Sequence, residues 1–482
     1  MKKYKWVIVI ISCCLMFLNR YIIPDGALGI PSLGWSTLSI FFGYMALVIG
    51  VSMTWPTLVL ILALVTNGVM TMNAAISGSL GHNVFWFVAL SGVMLAAIES
   101  SGLLRRIAFW LLSRPFLKKS PWLFLGMLYF AALLIGSFMN VSAVCILFAN
   151  ITGEILSGLG QKKGDRFGEL VMIGILLFTG LSYGISPIAH PVPILAIDLL
   201  AEFGRVNFLQ YFAIGLVLGI LVILFFLFTL RFIFHLDVSL MKDFDPTTLA
   251  AKQSAEMSKK EKICAVIYLI VVALWLLPSV FSLFSEPLYK AFNSLGVVGP
   301  VAIGIIAMAL IRVDGEPLLD VGKELKDSIP WNACMTMAAA MVLSSVMSNA
   351  DTGITTAIAD AVQPLFEGLP ALVFVAIISI FCNLMTDYSS DTIACMMTST
   401  MVATFAAAGS IPNVVIPALT IVLGCVASCA FATPAGSTYA AIIFGEGWVR
   451  KKTQFLQGTF YTFFTAAMAA FICYPLATLL FK

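Results

Sequence analysis

The stretch "NLMTDYSSDTIACMM", residues 383–397, sets two carboxylates, Asp387 and Asp391, among hydroxyl side chains between two apolar runs. A carboxylate in such a setting is costly to keep, and in a membrane chain it marks a pathway or a binding site. The rest of the chain supplies that setting. Of 482 residues, 61% are hydrophobic and 11% are charged, and the mean hydropathy is +1.03. A soluble domain carries about a quarter charged residues. The chain therefore reads as an integral, multi-pass membrane protein.

Working outward, apolar runs long enough to cross a bilayer, which takes about 20 residues, fall at 5–22, 36–53, 55–72, 84–101, 208–234, 262–282, 296–312, 331–348 and 455–479. Two more spans, 168–203 and 411–446, are interrupted by Gly and Pro. In 121–158 and 370–408 a polar tip divides an apolar stretch, which predicts two re-entrant hairpins. The expected fold is an all-α polytopic membrane protein of about eleven crossings plus these hairpins. The start, "MKKYKWVIVIISCCLMFLNRYIIPDG", has a basic cap and an apolar core with no small-residue cleavage site after it, and reads as a retained first helix.

Basic residues set the expected orientation. With the N-terminus cytoplasmic, the inside segments hold Lys2, Lys3 and Lys5, then Arg105, Arg106, Arg114, Lys118 and Lys119. They also hold Lys162, Lys163, Arg166, the cluster from Lys242 to Lys262, then Arg312, Lys323, Lys326 and Arg450 to Lys452. Outside remain Arg20, Arg205, Lys290 and Lys482. The C-terminus is then outside, in a bacterial-type inner membrane. Arg105 and Arg106 read as topology anchors.

The polar stretch "LDVSLMKDFDPTTLAAKQSAEMSKKEK" (236–262) reads as a cytoplasmic linker, 236–261, between two halves. Residues 1–35 form a first helix and outer loop, 36–235 a first repeat and 262–482 a second. "ESSGLLRRIAFWL" (99–111) matches "NADTGITTAIADA" (349–361) in pattern, with Gly102 and Gly353 in register. At the same offset Asn140 in "SFMNVSAV" faces Asp391, and "IAHPVP" (188–193) lines up with "FATPAG" (431–436). The repeats are expected to be inverted, the pattern of a secondary transporter with its site at mid-membrane.

These same residues carry a family resemblance. The chain resembles the divalent anion/sodium symporters, the dicarboxylate, citrate and sulfate carriers. That family has a hairpin tip of Leu-Thr-Glu then Ser-Asn-Thr, where this chain has Met385-Thr386-Asp387 then Ser390-Asp391-Thr392. Its last broken helix is matched by "ASCAF" (427–431), "ATPAGS" (432–437) and "IIFGEG" (442–447), and its style by "NVFWFVALSGVMLAAIESSGLLRRIAFWLL" (83–112). The likeness runs from about residue 80 to the end. It implies alternating access, coupling to a cation, a small anionic substrate and a homodimer in membrane lipid.

The departures matter as much. The first tip reads Met139-Asn140-Val141 and keeps only the Asn of Ser-Asn-Thr; its facing break has His190-Pro191-Val192-Pro193, and the serine one turn before the tip is Ile135. The first sodium site is therefore expected to be eroded. Residues carried over for substrate are Asn140, Val141, His190, Pro191, Asp391, Thr392, Thr433 and Pro434; those for the cation are Thr386, Ser389, Asp391 and Ala432.

Asp391 has several readings. As a carboxylate among hydroxyls and carbonyls it is a hard-oxygen ligand for Na⁺; without a cation it takes up a proton. Left charged it repels an anion, so cation or proton binding becomes a precondition for substrate. Alternatively it caps the helix that follows. Asp387, matched to a family Glu near the turn, reads equally as site or scaffold. His190 reads either as an anion donor that titrates near neutral pH, or as a partner for carbonyls freed by Pro187, Pro191 and Pro193.

Other classes find little support. No His-Glu-x-x-His, Walker loop or Gly-x-Ser-x-Gly occurs, so no enzymatic activity and no cofactor beyond the coupling ion, Na⁺ or H⁺, is expected. Two Asp four residues apart on one tip suit an aspartyl protease poorly. The ten cysteines lack metal-ligand spacing and read as packing thiols, as do the many Met residues. The basic residues track a membrane face and form no nucleic-acid stripe. The reading is a cation-coupled carrier of a small anion; a proton-coupled carrier of another polar solute, or a non-transporting sensor or interaction subunit, stand behind it.

Overall fold

The computed structural model describes residues 3–188, 190–252, 256–282, 284–357, 369–411, 413–434 and 436–481. Nearly everything described is helical. The strand pairing among these residues is one two-residue ladder, Arg312–Val313 with Glu316–Pro317. It closes through Asp314 (φ 54°) and Gly315 (φ 89°), the paired left-handed residues of a tight hairpin turn.

Helices fall on every continuous run expected to span: Lys3–Ile22, Ser32–Gly50, Pro56–Thr66, Asn83–Ser101, Phe208–Phe228, Lys259–Phe281, Val298–Leu310, Trp331–Met347 and Lys451–Met468. Eight described helices are long and apolar enough to cross a membrane, and two bent pairs raise this to ten. The 55–72 run is shorter than expected. Its helix stops after 11 residues, about 16 Å at 1.5 Å per residue. Gly68 turns left-handed there (φ 72°), and the Asn67 amide donates to the carbonyls of Ala63 (2.8 Å) and Met16 (2.9 Å).

The interrupted segments break where their sequence demands. The first is Arg166–Ile185, then non-helical chain, then Pro191–Leu199. The second is Ile416–Val426, a longer gap, then Thr438–Gly445. The divided stretches are helix–turn–helix pairs: Pro121–Gly136 with Val141–Gly158, and Ala371–Tyr388 with Asp391–Ala407. Gly102 (φ 88°) and Gly353 (φ 64°), in register in the two matched motifs, both adopt a left-handed conformation; residues 358–361 of the second motif lie outside the described residues.

Arg166–Ile185 is the innermost helix, with 94% of its span buried. It packs against both limbs of the first hairpin and against Phe208–Phe228, Ile416–Val426 and Lys451–Met468. The pairing of hairpins with breaks is crossed. The second limb of the first hairpin packs on Thr438–Gly445, and the second limb of the second hairpin packs on Pro191–Leu199. Both tips are thereby brought to the middle of the molecule.

Ion pairs fasten the ends of these helices. Glu169, buried in the innermost helix, receives Arg450 through Nε–Oε1 and Nη2–Oε2 contacts of 2.6 Å each, with the Arg450 N–H at 3.0 Å. Arg106 is more than the expected anchor: it reaches Glu261 at 3.0 and 3.1 Å, which is itself held in a capping box with Ser258. Lys118, in the turn before the first hairpin, meets Asp245 of the linker at 2.6 Å.

Two outcomes follow. Arg450→Ala strands a buried carboxylate and is expected to cost about 2 kcal/mol, seen as a lower unfolding temperature in detergent. Lys451→Ala, which loses only a cation over the Phe444 ring at 5.4 Å, should change it little; equal losses mean that Glu169 is not the reason. Asp245 is held down to about 2 by the Lys118 hydrogen bond and then by Thr247. A depressed carboxyl favours its bound state above the unfolded value near 4 and releases it as pH falls toward 2, so the linker tie is complete at neutral pH. Asp245→Asn should speed hydrogen exchange across 236–252 at pH 7, and an unchanged rate would show that the tie does not hold the linker.

Candidate functional site

A cavity of about 710 Å³ lies where the two tips and two breaks meet. Its wall includes Asn140–Ser142 and Ser390–Thr392 from the tips, His190–Pro191 from the first break and Gly436–Tyr439 from the second. Ile329–Ala333, at the start of Trp331–Met347, completes it with Gly92 and neighbours on Asn83–Ser101. Five helices therefore begin on one cavity: those starting at Val141, Pro191, Trp331, Asp391 and Thr438. A helix start presents unpaired N–H groups and about half a positive charge, so the convergence favours an anion.

The five starts are unequal. Asn140 caps its own helix, its Oδ1 accepting from the N–H groups of Ser142 (3.0 Å) and Ala143 (3.2 Å). That leaves the amide NH₂ as its donor. Val141 lines the wall beside it. At the first break, Pro191 and Pro193 lack N–H groups, so Val192 alone donates from the first three positions. The His190 Nε2 lies 2.6 Å from the Gly136 carbonyl at the end of the first hairpin limb. Its ring packs edge-on against Tyr183 at 5.2 Å. Of the two readings of His190, the freed-carbonyl reading describes its bond; the carbonyl belongs to the hairpin rather than to the break.

At the second tip Asp391 is the first residue of its helix, 7% exposed, and lines the cavity with Thr392. Its Oδ1 is 3.1 Å from Thr386 Oγ1, which is also 2.6 Å from the Ala427 carbonyl. One hydroxyl carries one proton. When that proton goes to Ala427, two oxygens, Thr386 Oγ1 and Asp391 Oδ1, face one another with none between them. A cation or a second proton fits this set.

The other residues carried over for the cation lie differently. Ser389 Oγ turns back to the Met385 carbonyl (2.6 Å). The Ala432 N–H is given to Asp387 Oδ1 at 2.8 Å. Ala427, in the "ASCAF" stretch, supplies an oxygen that the motif comparison passed over. Thr433 and Pro434 do not line the cavity; Thr433 Oγ1 donates instead to the Asp387 carbonyl at 2.5 Å.

Asp387 explains these displacements. It is 1% exposed and receives both the Ala432 N–H and the Thr462 hydroxyl (3.0 Å) on its two oxygens. It pins the second break to the hairpin turn and to the last helix, and so belongs to the scaffold. Gly436 lets the chain pass close by: a Cβ there would lie 2.9 Å from the Thr386 carbonyl and 3.1 Å from that of Asp387.

Several contributors had no motif to announce them. Tyr439 OH donates to the Ser428 carbonyl (2.5 Å) and accepts from the Ala430 N–H (3.0 Å). Tyr211 OH donates to the Gly184 carbonyl at 2.9 Å. Ser142 and Thr438 hydroxyls meet at 3.1 Å across the cavity wall. Tyr439 and Thr438 lie within a few residues of the second break, while Tyr211 lies on another helix, 27 residues from its partner.

Comparison with known proteins bears on the family and the fold. The family described as the sodium:sulfate symporter transmembrane region matches residues 2–481. The sodium-dependent dicarboxylate transporter SdcS of Staphylococcus saprophyticus is 22% identical over 420 residues, 83% of this chain and 77% of its own. An uncharacterised transporter of Haemophilus influenzae is 21% identical over 339 residues, 70% of this chain and 69% of its own. Among solved structures, the YdaH transporter of Alcanivorax borkumensis superposes with a TM-score of 0.54 at 13% identity, covering 84% of this chain and 87% of its own, and so shares the fold. The match across nearly the whole length places this chain in the sodium:sulfate symporter family.

Proposed function

We propose that this protein is a secondary carrier that moves a small divalent or trivalent anion, a dicarboxylate, citrate or sulfate, together with Na⁺. The observation that carries the reading is the convergence of five helix starts on one cavity that also contains Asp391. Asn140, Thr392, Ser142 and Thr438 would meet the substrate through donors at those starts. Asp391, Thr386 and the Ala427 carbonyl would hold the cation, as hard oxygens do.

Charge supplies the coupling. An ionised Asp391 on the wall opposes an anion; a bound cation cancels it and restores the attraction of the helix starts. Substrate and cation then favour each other's binding by the same factor. At the first tip, His190 already donates to Gly136, which argues for one coupling site rather than two. A proton fits the Thr386–Asp391 set as well, and that is the second reading.

The cavity rim at Ile329–Ala333 directly follows the segment bearing Lys323 and Lys326, so by the positive-inside rule it opens toward the cytoplasm. On this reading the N-terminus is inside and the C-terminus outside, the halves 36–235 and 262–482 are inverted about the 236–261 linker, and both hairpins return to their own face. The homodimer rests on the family resemblance.

Uptake of labelled succinate, citrate and sulfate into proteoliposomes tests the whole reading. An inward Na⁺ gradient should drive at least one of the three; uptake under an H⁺ gradient alone selects the proton reading, and no uptake rejects the substrate class. Asp391→Asn should abolish cation dependence, and a variant with unchanged Na⁺ and H⁺ dependence removes Asp391 from the coupling site. His190→Gln can keep the bond to Gly136 without a titrating ring. It should retain most transport with an unaltered pH profile between 5 and 8; a flattened profile would make His190 a switch after all.

A further inference from the structure

A second concavity, sharing no lining residue with the transport cavity, lies at the end of the span of highest mean hydropathy among the described helices. The helix Phe208–Phe228 runs on into a π-helical turn, Thr229–Ile233. It then closes with the Phe234 N–H on Thr229 O and the Leu236 N–H on Leu230 O, both at 2.8 Å. The pivot of this ending is His235, with φ 49°. That is the left-handed position glycine usually fills, and a bulky residue there points to a use for its side chain.

The groove beside it measures about 530 Å³ and is lined by Trp122, Arg231, His235, Asp237, Ser239 and Lys242 among others. Arg231, His235 and Lys242 are all exposed. Among the described residues neither Arg231 nor Lys242 makes an ion pair; Arg231 lies over the rings of Phe232 (5.4 Å) and Trp122 (6.0 Å). Asp237 holds the Ser239 N–H at 3.0 Å, and hydrogen bonding from the Ser239 side chain first, then from this N–H, keeps its carboxyl below the usual range. It therefore counts as one negative charge. Arg231, Lys242 and Asp237 together give the lining a net charge of +1.

What borders the groove identifies its occupant. On one side stand Phe228, Phe232 and Ile233, each at least half exposed, at the end of a 26-residue span of mean hydropathy 3.0. Such side chains face acyl tails. On the other side lies the polar linker. Trp122 sits at the boundary, where the ring of an interfacial aromatic belongs. A ligand here must be anionic at one end and apolar beside it.

We propose that this groove binds the phosphate headgroup of an anionic phospholipid, with Arg231 and Lys242 on the phosphate, Trp122 at the glycerol level and the chains lying along Phe228 and Phe232. Basic pockets at helix ends on a membrane face recognise headgroups in this way. The site joins the last span of the first half to the start of the linker, so lipid bound there would hold that junction to the membrane.

The test uses the full-length protein purified in detergent, exchanged with phosphatidylglycerol or phosphatidylcholine, with retained lipid counted by native mass spectrometry. The wild type should retain phosphatidylglycerol over phosphatidylcholine, and Arg231→Gln and Lys242→Gln should each lower retention by about fivefold. Lys326→Gln, an exposed cation elsewhere, should leave it unchanged. Equal retention of both lipids, no effect of either groove substitution, or an equal loss in Lys326→Gln overturns the proposal. Displacement of the lipid by millimolar glycerol phosphate also overturns it, because the groove would then be a soluble-anion site. Unchanged unfolding temperatures establish that the variants are folded, and either groove variant alone is sufficient.

Discussion

A backbone that stops being helical inside a membrane leaves N–H and C=O groups that water cannot reach, and each must find a partner within the protein. The rest of this structure depends on how the two breaks meet that demand. At the first, Tyr211 takes the Gly184 carbonyl. At the second, Tyr439 bridges Ser428 and Ala430, and Asp387 receives Ala432. Tyr211 and Asp387 come from other helices and Tyr439 from the helix just past its own break, so the non-helical chain is held by side chains outside it. The remaining N–H groups, at the helix starts, are left directed at the cavity.

The two halves meet this requirement with different chemistry, and the difference bears on coupling. The first half uses an imidazole ring and two prolines: His190 donates to Gly136, while Pro191 and Pro193 thin out the donors. The second half uses two carboxylates with separate duties. Asp387 is saturated by the chain around it, whereas Asp391 has one shared hydroxyl and an open wall. A saturated carboxylate is structure, and an unsaturated one beside a cavity is available for binding.

Much of this was legible in the sequence because hydropathy and Pro/Gly placement act locally. The positions of the spans, both interruptions and both polar tips follow from run length and helix-breaking residues. Of the cavity residues, Asn140, His190 and Asp391 were reached by matching the halves, and Val141, Pro191 and Thr392 through the family resemblance. Thr433 and Pro434 were expected in the cavity and do not line it, because Asp387 draws that break toward itself: its carboxylate takes the Ala432 N–H and its backbone carbonyl the Thr433 hydroxyl, the latter a contact across 46 residues of chain. Ala427 was missed for a related reason. A backbone carbonyl becomes a ligand only where its helix stops, and an alanine gives no sign of it. The early stop at Thr66 turned on Asn67 and Gly68, two residues inside an otherwise apolar run.

The innermost helix carries a consequence for motion. Along Arg166–Ile185, Gly174 lies under Tyr129 and Phe226, Gly180 under Tyr439 and Phe431, and Gly184 under Ser428. A methyl group at any of the three would collide with a neighbour, and the neighbours come from both halves of the chain. Side chains interlocked against bare backbone resist sliding, because a shift of one residue would drive a Cβ-bearing position into the same space. This helix has no direction in which to travel alone. It must move, if it moves, as the axle of a block that includes the first hairpin, both breaks and the last helix. Asn83–Ser101 and Trp331–Met347, which form the far wall of the cavity, stand outside that block.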